Sequence, residues 1–400
     1  MIHPDRDQWI ETPAELDDLL DHLQTSGRFA LDTEFVSEDT YEPVLGLIQV
    51  ATTERIAAVD PIAIGDLSEF WNLVTGPDVE VVMHAAGEDL RICRFRSGRL
   101  PERVVDVQIA AGLIGFNYPL SHGNLVNQVL GVTVSGGETR TDWRRRPLSD
   151  AQVRYALDDV RFLLDVSNHL NRRLDELGRL SWADEEYATL KEAVESRDES
   201  ERWRRLSGIH HLNRRSLEIA RRLWLWRLEE ANRSNRPIRQ IMRDDLIIGI
   251  AKRQPASRRD LEALRDFHRP HLMSKANALV ALIQEALDTP TDQLPEASER
   301  PDTWPGESMV VSLLSAALHQ SCTQNALAPS LVGSVGDLKE LIRWHLAGQP
   351  AETTPSLASR WRGEVCGRDL LDVLSGRRSV RIVDPTADVP IVLDPISREP

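Results

Sequence analysis

The stretch RFALDTEF at residues 28–35 places two carboxylates, Asp32 and Glu34, two positions apart in a short apolar run. Such a run predicts a β-strand, in which successive side chains point to opposite faces, so both carboxylates project from one face. Like charges at close range disfavour joint ionisation unless solvent or a cation lies between them. Taken alone, the pair is most simply an acidic strand end facing water, and the rest of the chain decides between that interpretation and a metal site.

Composition excludes several classes of protein. The chain has 400 residues, of which 41% are hydrophobic and 28% are charged, as in globular proteins of two to three domains. No apolar run approaches the ~20 residues that a membrane-spanning helix needs, and the polar N-terminus lacks the features of a signal peptide. The three cysteines are widely spaced and predict reduced structural thiols. We expect a cytoplasmic monomer.

The net charge of −15 conceals a basic segment. Between Arg202 and Arg269 the chain has 18 Lys and Arg residues and 8 Asp and Glu residues, which gives this segment +10 and leaves −25 for the remainder. A single basic module on an acidic protein is typical of a surface that binds a polyanion.

Strands alternate with helices after an antiparallel three-stranded meander, which predicts an α/β domain with one mixed central sheet and flanking helices. The meander consists of residues 28–35, 45–51 and 55–59. Ser149 with Gln152 forms a capping-box pattern and predicts one long helix from Ser149 to about Leu177. Ser121 is expected to cap a further helix over 124–130.

Later segments are helical, with prolines between helices and a proline-rich stretch that separates two helical groups. We expect the α/β domain over 1–200, a first helical domain over 206–288, a linker over 289–307, a second helical domain over 308–382 and a poorly ordered or surface-draped tail over 383–400. A truncation ending near Ser200 is expected to retain the activity of the α/β domain.

Two further acids complete the candidate site. Asp89 follows a buried strand in the first turn of a helix, and Asp159 lies four residues after Tyr155 on the same face of another helix. Four carboxylates without basic neighbours are stable when divalent cations lie among them, and all-oxygen ligands favour Mg²⁺ or Mn²⁺. Two such ions can activate a water and stabilise the leaving oxygen of a phosphodiester.

Tyr155 suits this chemistry as a group that orients the attacking water, because a phenol of pKa about 10 is a poor base. The alternative is an ordinary tyrosine of an amphipathic helix. His84 ends a buried strand, and we interpret it as a structural histidine rather than a base or a ligand.

Three motifs in order resemble those of the DEDD exonuclease superfamily, in the branch with tyrosine in the third motif: LDTEF at 31–35, HAAGEDL at 84–90 and YALDD at 155–159. TYEPVLGLIQV at 40–50, ETRTDWRRRPLSDAQVRYA at 138–156 and WRGE at 361–364 are similar to segments of the bacterial ribonuclease D family. This resemblance implies a ribonuclease-H-like fold, metal ligation by Asp32, Glu34, Asp89 and Asp159, and a water-orienting Tyr155.

Residues 206–287 resemble the HRDC domain shared by ribonuclease D and RecQ-type helicases, and 309–374 a second, divergent HRDC-like domain. Four arginines within a few turns of one predicted helix could form a phosphate-binding ridge or a solvated face: Arg214, Arg215, Arg221 and Arg222. Arg144, Arg145 and Arg146 either contact the RNA backbone or form a solvated turn.

The resemblance implies a metal-dependent 3′-5′ exoribonuclease that uses two divalent ions, releases nucleoside 5′-monophosphates and trims tRNA precursors and other stable RNAs. The chain has Ser37, Glu38 and Asp39 where the family usually has arginine, and Ser135 to Gly137 where it has lysine. We therefore expect the catalytic domain to bind RNA weakly. The alternatives are a DNA 3′-5′ exonuclease and a non-catalytic RNA-binding scaffold.

Overall fold

The structure is a computed structural model that describes residues 7–134, 141–196, 199–297 and 304–396. Six strands form the sheet of the first domain: β1 (Asp7–Ile10), β2 (Arg28–Val36), β3 (Val44–Ala51), β4 (Ile56–Val59), β5 (Glu80–Met83) and β6 (Arg103–Asp106). Nine helices pack around this sheet: α1 (Pro13–Ser26), α2 (Pro61–Ile64), α3 (Ser68–Val74), α4 (Gly87–Ser97), α5 (Val107–Gly112), α6 (His122–Leu130), α7 (Asp150–Arg161), α8 (Leu163–Glu176) and α9 (Leu180–Glu195).

The sheet is mixed, with strand order β1-β4-β3-β2-β5-β6. Strands β2, β3 and β4 form the predicted antiparallel meander. Strands β1, β5 and β6 extend it by parallel pairing on its two sides. The mixed-sheet prediction is confirmed, and β2, which bears the two carboxylates, lies inside the sheet with neighbours on both sides.

A close approach at Gly46 brings the chain from the sheet to α7. A Cβ added at Gly46 would lie 2.6 Å from the Cβ of Trp143, so only glycine allows the buried Trp143 to lie on β3. Arg146 fixes the same crossing, because its guanidinium donates to both carboxylate oxygens of Asp60 at 2.6 and 2.7 Å and to the Gly46 carbonyl at 2.7 Å. Helix α7 therefore starts in a fixed position above β2 and β3.

The long helix predicted from Ser149 is two helices. The capping box of Ser149 and Gln152 is present at the start of α7, but the helix is interrupted at Phe162, whose φ of −106° and ψ of −5° separate α7 from α8. No proline or glycine marks this break, and the apolar pattern continues across it, so the sequence predicted one helix. Ser121 occupies the N-cap of α6, as expected, but its side chain makes no capping hydrogen bond.

The first helical domain has its own core. Short 3₁₀ turns (Glu199–Arg205 and Ile209–His211) precede six helices: α10 (Arg214–Ser234), α11 (Ile238–Ile241), α12 (Asp244–Arg253), α13 (Arg258–Glu262), α14 (Pro270–Ser274) and α15 (Ala276–Asp288). Trp203 is fully buried in this core, so the domain begins before the predicted boundary at residue 206. A 3₁₀ turn (Thr291–Gln293) follows it.

The second helical domain is not an independent unit. Its elements are α16 (Glu307–Gln324), α17 (Pro329–Val332), α18 (Val335–Leu346), 3₁₀ turns at Ala351–Thr353 and Ser356–Ala358, α19 (Arg360–Arg362), a π-helical turn (Gly363–Gly367) and α20 (Arg368–Leu374). Its buried residues belong to the same hydrophobic cluster as those of α5 to α8. Because removing them would expose that cluster, the expectation that a chain truncated near Ser200 retains activity loses its physical basis.

Polar contacts also connect the first domain to the second helical domain. The buried Arg179 donates to the carbonyls of Leu113 at 2.7 Å and Asn325 at 2.5 Å. Glu186 of α9 is also buried and accepts hydrogen bonds from Trp361 at 2.9 Å and from Arg362 at 2.8 Å. These bonds link the WRGE stretch to the first domain.

The tail was expected to be either poorly ordered or draped on the surface, and its described part is ordered and largely exposed. Strands β7 (Arg378–Ile382) and β8 (Ile391–Pro395) pair as an antiparallel hairpin, so the described part of 383–400 is structured and the predicted boundary at 382 falls at the end of one of its strands. Along the described ranges, no helix has both the length and the apolar character to span a membrane. The three cysteines are free and buried.

Candidate active site

A pocket of about 620 Å³ opens beside the carboxyl half of β2. One wall bears Asp32 and Glu34 from β2 together with Tyr155 and Asp159 from α7, and the start of α6 forms an adjoining wall. The alternation predicted for β2 is present, and a bulge between Glu34 and Phe35 shifts the pairing with β3 where the strand leaves the site. The first and third sequence motifs therefore meet at one pocket.

Three of the four predicted metal ligands lie close together. Among the described residues, Asp32, Glu34 and Asp159 each present a carboxylate oxygen within 4.8 Å of the others. Strand alternation supplies the first two, and the packing of α7 on the meander supplies the third. Hard oxygen donors at this spacing are the set that Mg²⁺ and Mn²⁺ prefer.

Asp89 lies behind this group rather than in it. Its side chain is buried, and its Oδ1 accepts a hydrogen bond of 2.5 Å from the hydroxyl of Thr33. Strand alternation turns Thr33 to the other face of β2 from Asp32 and Glu34, where it meets Asp89 of α4. Asp89 therefore acts on the other acids through its charge in this structure, and its role as a metal ligand stays a prediction.

The electrostatics of the pocket favour a cation. Burial raises the pKa of Glu34 to about 8, with repulsion from Asp159 and Asp89 adding to it. Burial raises the pKa of Asp32 as well, and the charges of Asp89, Asp159 and Glu34 raise it further. Burial raises the pKa of Asp89 to about 7 despite the opposing hydrogen bond from Thr33. Bound divalent cations would remove this mutual repulsion, so the residues fit the metal that the sequence implies.

Tyr155 is half-buried at the edge of the carboxylates. Burial raises the pKa of its phenol, and the charges of Asp159 and Glu34 and a hydrogen bond with Asp159 raise it further. In the metal-free pocket the raised pKa keeps this phenol protonated at neutral pH. It can donate or accept a hydrogen bond, which is what orienting a water requires.

The α6 wall was not predicted from the sequence. Nδ1 of His122 lies 3.2 Å from Oδ1 of Asp159, while its Nε2 is buried without a partner among the described residues. Asn124, Asn127 and Thr133 line the same wall. The run SHGN at 121–124 carried a signal only as a possible helix start, because nothing in its spacing linked it to Asp159.

His84 lines the pocket with its Nε2 2.9 Å from the carbonyl oxygen of Leu120. Its ring lies edge-on to that of His122, with centroids 5.7 Å apart. Burial lowers the pKa of its imidazole. These contacts support the interpretation of His84 as a structural residue that holds the α6 wall.

The three arginines before α7 have separate positions. Arg144 donates to Asp142 at 2.8 Å and approaches Asp39 at 3.4 Å. The side chain of Arg145 is 84% exposed and pairs with Asp142 at 3.5 Å, and its contact with an RNA backbone stays a prediction. Arg146 is committed to the fold through Asp60. Ser135 to Gly137 and the first residues of the 138–156 segment lie outside the described residues.

The four arginines of the predicted ridge also serve the fold. Arg214 donates to the carbonyls of Pro295 at 3.1 Å and Leu294 at 2.7 Å, and Arg215 donates to those of Leu287 at 2.7 Å and Thr289. Arg221 and Arg222 both pair with the carboxylate of Glu218, which is 1% exposed. Their role in RNA binding stays a prediction, but the structure shows a second use for each of them that the sequence did not reveal.

Comparison with known proteins identifies two regions of the chain, an exonuclease region and an HRDC region. Residues 8–175 match the family model described as 3′-5′ exonuclease, and residues 216–283 match that of the HRDC domain. Ribonuclease D of Shewanella sp. (strain ANA-3) is 33% identical over 370 residues, which cover 92% of this chain and 94% of that protein. Ribonuclease D of Acidiphilium cryptum (strain JF-5) is 34% identical over 385 residues, covering 94% and 96%.

Solved structures give the same result. The crystal structure of Escherichia coli RNase D, described as an exoribonuclease involved in structured RNA processing, has a TM-score of 0.81 and 29% identity, and covers 92% of this chain and 98% of that one. A protein from Bifidobacterium adolescentis, 22% identical, shares the fold with a TM-score of 0.67.

Proposed function

The chain belongs to the ribonuclease D family and is a 3′-5′ exoribonuclease, and from that premise we propose that it trims the 3′ ends of tRNA precursors and other stable RNAs, releasing nucleoside 5′-monophosphates. The observation that carries the proposal is the cluster of Asp32, Glu34 and Asp159 beside Tyr155. Neither the DNA exonuclease nor the non-catalytic scaffold has support from these relatives.

The residues of the pocket have distinct tasks in hydrolysis. Asp32, Glu34 and Asp159 would hold two divalent ions, with Asp89 as the proposed fourth ligand. When bound, such ions lower the pKa of water and neutralise charge on the reacting phosphodiester. Tyr155 orients the attacking water through its phenol while keeping its own proton. His122 holds the carboxylate of Asp159 in position by direct contact.

The polar wall of α6 would receive the terminal nucleotide. Asn124 and Asn127 of α6 line the pocket, together with Thr133 shortly after that helix. Amides and hydroxyls both donate and accept hydrogen bonds, as ribose hydroxyls do. This wall is therefore where we expect a 2′-hydroxyl to be distinguished from the hydrogen of DNA.

A basic surface on the first helical domain would bind the body of the RNA. It consists of Lys252, Arg253, Arg259 and Arg265, all exposed at the end of α12 and around α13. In the described part of the chain none of the four has a recorded ion pair with a carboxylate, unlike Arg221 and Arg222. Unpaired cations on one surface neutralise phosphates and release counterions.

A direct comparison of substrates tests the function. The purified chain, with Mn²⁺ or Mg²⁺, is given a 3′-extended tRNA, a single-stranded RNA and the matching DNA, and the products are separated by length and by chemical form. We expect nucleoside 5′-monophosphates from both RNAs, stepwise shortening from the 3′ end and slower cleavage of DNA. Equal rates on RNA and DNA would favour the DNA exonuclease, and binding without products would favour the scaffold.

The setting of the enzyme follows from the same proposal. The thiols of Cys93, Cys322 and Cys366 are free and buried, as in proteins of a reducing compartment. We place the enzyme in the cytoplasm as a monomer. Analytical ultracentrifugation of the purified protein measures its mass in solution and tests whether it is a monomer.

A further inference from the structure

A second cleft, of about 660 Å³, lies between the catalytic domain and the first helical domain. On one side are Tyr41, from the loop after β2, and Phe95, near the end of α4, and on the other are residues 237–239 at the start of α11. Asn235 fixes the two sides, because its side-chain oxygen accepts hydrogen bonds of 3.1 Å from the backbone N–H groups of both Tyr41 and Glu42. The cleft therefore has walls set by direct contact between the domains.

Aromatic rings face this cleft. Phe35, Tyr41 and Phe95 all line it, and Phe95 is 46% exposed. A half-exposed phenylalanine on a helix contributes little to the core, and the guanidinium of Arg96 lies 5.5 Å from the centroid of this ring, which adds a cation beside a flat apolar face. Stacking on such rings is the usual way in which proteins hold bases of single-stranded nucleic acid without regard to sequence.

The cleft is also positively charged. Four arginines line it, against two glutamates: Arg91, Arg94, Arg202 and Arg239 against Glu88 and Glu199. Arg91 and Arg202 pair with these glutamates at 2.6 and 2.8 Å.

The other two arginines keep their charge available. Arg94 donates to the carbonyls of Val194 and Glu195 at 2.6 and 2.8 Å, and within the described ranges no carboxylate pairs with it. Arg239 is 85% exposed and forms a long ion pair of 3.9 Å with Asp244, which also pairs with Arg227 at 2.7 Å. Rings beside exposed or loosely paired cations fit a strand with stacked bases and phosphates.

At two points in the sequence, a residue that lines the cleft is adjacent to a predicted metal ligand. Phe35 follows Glu34 on β2, and Glu88 precedes Asp89 on α4. Glu34 lines the catalytic pocket and Phe35 lines the cleft, and the bulge between them marks the place where the strand passes from one to the other. A chain whose 3′ end reaches the carboxylates would pass the end of β2 to enter the cleft.

We propose that this cleft binds the bases and phosphates of the RNA strand upstream of the scissile bond. The inference rests on the proposed function, since the ligand is the single-stranded 3′ segment of the substrate. It also accounts for the loss of arginine after the first motif: Ser37 lines the cleft, and positive charge comes from α4 and α11 instead.

Length-dependent binding tests this inference. Fluorescently labelled oligoribonucleotides of two to ten nucleotides are titrated with the full chain in the presence of EDTA, so that binding is measured without cleavage. KM over the same lengths is then measured in Mn²⁺. The variants are Phe95→Ala and Arg239→Glu, and the control is Arg243→Glu, whose native arginine is exposed on the same domain, pairs with Asp245 at 2.6 Å and lies outside the cleft.

In the wild type, affinity should increase as the oligonucleotide becomes long enough to reach the cleft. Phe95→Ala should remove about 5- to 150-fold of that gain, the range for one base–aromatic stack, and Arg239→Glu should flatten its salt dependence, whereas Arg243→Glu should retain the gain. If both cleft variants show the wild-type gain with length, the inference is wrong. A wild type that shows the gain in binding but cleaves no oligonucleotide would contradict the proposed function and leave the cleft assignment supported.

Discussion

His122 and Asp159 are in direct contact at the catalytic pocket, with Nδ1 of the imidazole 3.2 Å from Oδ1 of the carboxylate. The two residues come from different helices, α6 and α7, so the contact exists only in the folded protein. The contact places the imidazole of His122 against Asp159, which lies on the same helix as Tyr155.

We expect His122→Ala to weaken metal use, because Asp159 loses the donor that fixes its orientation. Positioning contacts around metal ligands are typically worth about 10- to 100-fold in metal affinity or activity. The Mn²⁺ concentration for half-maximal cleavage should rise in that range, and His122→Asn, which can place an amide donor at the position of Nδ1, should recover part of the loss. His211→Ala, at an exposed histidine of the helical domain, is the control. An unchanged Mn²⁺ requirement in His122→Ala would show that the contact is incidental.

Asp32→Asn and Asp159→Asn should each abolish hydrolysis, since each removes a charged ligand from the cluster. The metal-free variants should also unfold at higher denaturant concentration than the wild type, because repulsion among buried carboxylates is relieved. Cleavage of labelled RNA and urea unfolding monitored by circular dichroism measure the two effects. Retention of more than about a tenth of the activity in Asp32→Asn would contradict the two-metal assignment.

Tyr155→Phe should lower turnover by about 10²- to 10⁴-fold, the range for a positioned group that assists proton transfer. The phenyl ring preserves the packing of Tyr155 near Trp143, whose ring centroid is 6.3 Å away, so RNA affinity should be close to that of the wild type. Single-turnover cleavage and fluorescence anisotropy separate the two quantities. Loss of RNA affinity in parallel with turnover would make Tyr155 a substrate-binding residue instead.

The metal-free enzyme should become less stable as the pH rises from about 5 to about 8. The pKa of Glu34 is raised to about 8 and that of Asp89 to about 7, so between their ordinary values and these values the folded state holds protons that the unfolded state has released. The free energy of unfolding then falls with rising pH. Urea unfolding in EDTA across this range tests the sign, and Glu34→Gln should flatten the dependence. A stability that rises over the same interval would show that these carboxylates are ionised in the folded protein.

Charge reversal should separate the structural arginines from the RNA-binding ones. Arg215→Glu places a carboxylate beside the carbonyls of Leu287 and Thr289 and should lower the melting temperature. Arg253→Glu and Arg259→Glu alter exposed residues and should leave it unchanged while reducing the slope of log affinity against log salt by about 0.7 for each lost phosphate contact. Thermal melts measure the effect of each variant on stability, and salt titrations of RNA binding measure its effect on the number of phosphate contacts. If the exposed pair leaves the slope intact, RNA is bound elsewhere.

The sequence predicted those parts of the site that depend on local spacing. Asp32 and Glu34 share a face because of strand alternation, Tyr155 and Asp159 share one because of the helical repeat, and both relationships hold in the structure. The mixed sheet was predictable for the same reason, since each element shows its own periodicity. The hydrophobic pattern permits β5 to pair with β2 and β6 to pair with β5, but it does not require this strand order.

The remaining features depend on contacts between distant segments. Thr33 and Asp89 are 56 residues apart, and no period of either element relates them. Arg214 and Arg215 looked like a phosphate ridge because their partners are backbone carbonyls about 70 to 80 residues away, which leave no trace in the pattern of charges. The break at Phe162 was hidden because the apolar stripe continues across it.

The core shared by the first and last domains determines when the enzyme becomes complete during its synthesis. Leu331 and Trp361 are made long after α5 and α9, yet they belong to the cluster that buries these helices, and Glu186 receives its partners from Trp361 and Arg362. A nascent chain that has emerged only as far as the first helical domain therefore carries all the catalytic residues on an unfinished scaffold. We expect nuclease activity to arise only once the last helices have left the ribosome, which would keep a growing nuclease inactive beside the RNAs of the machine that makes it.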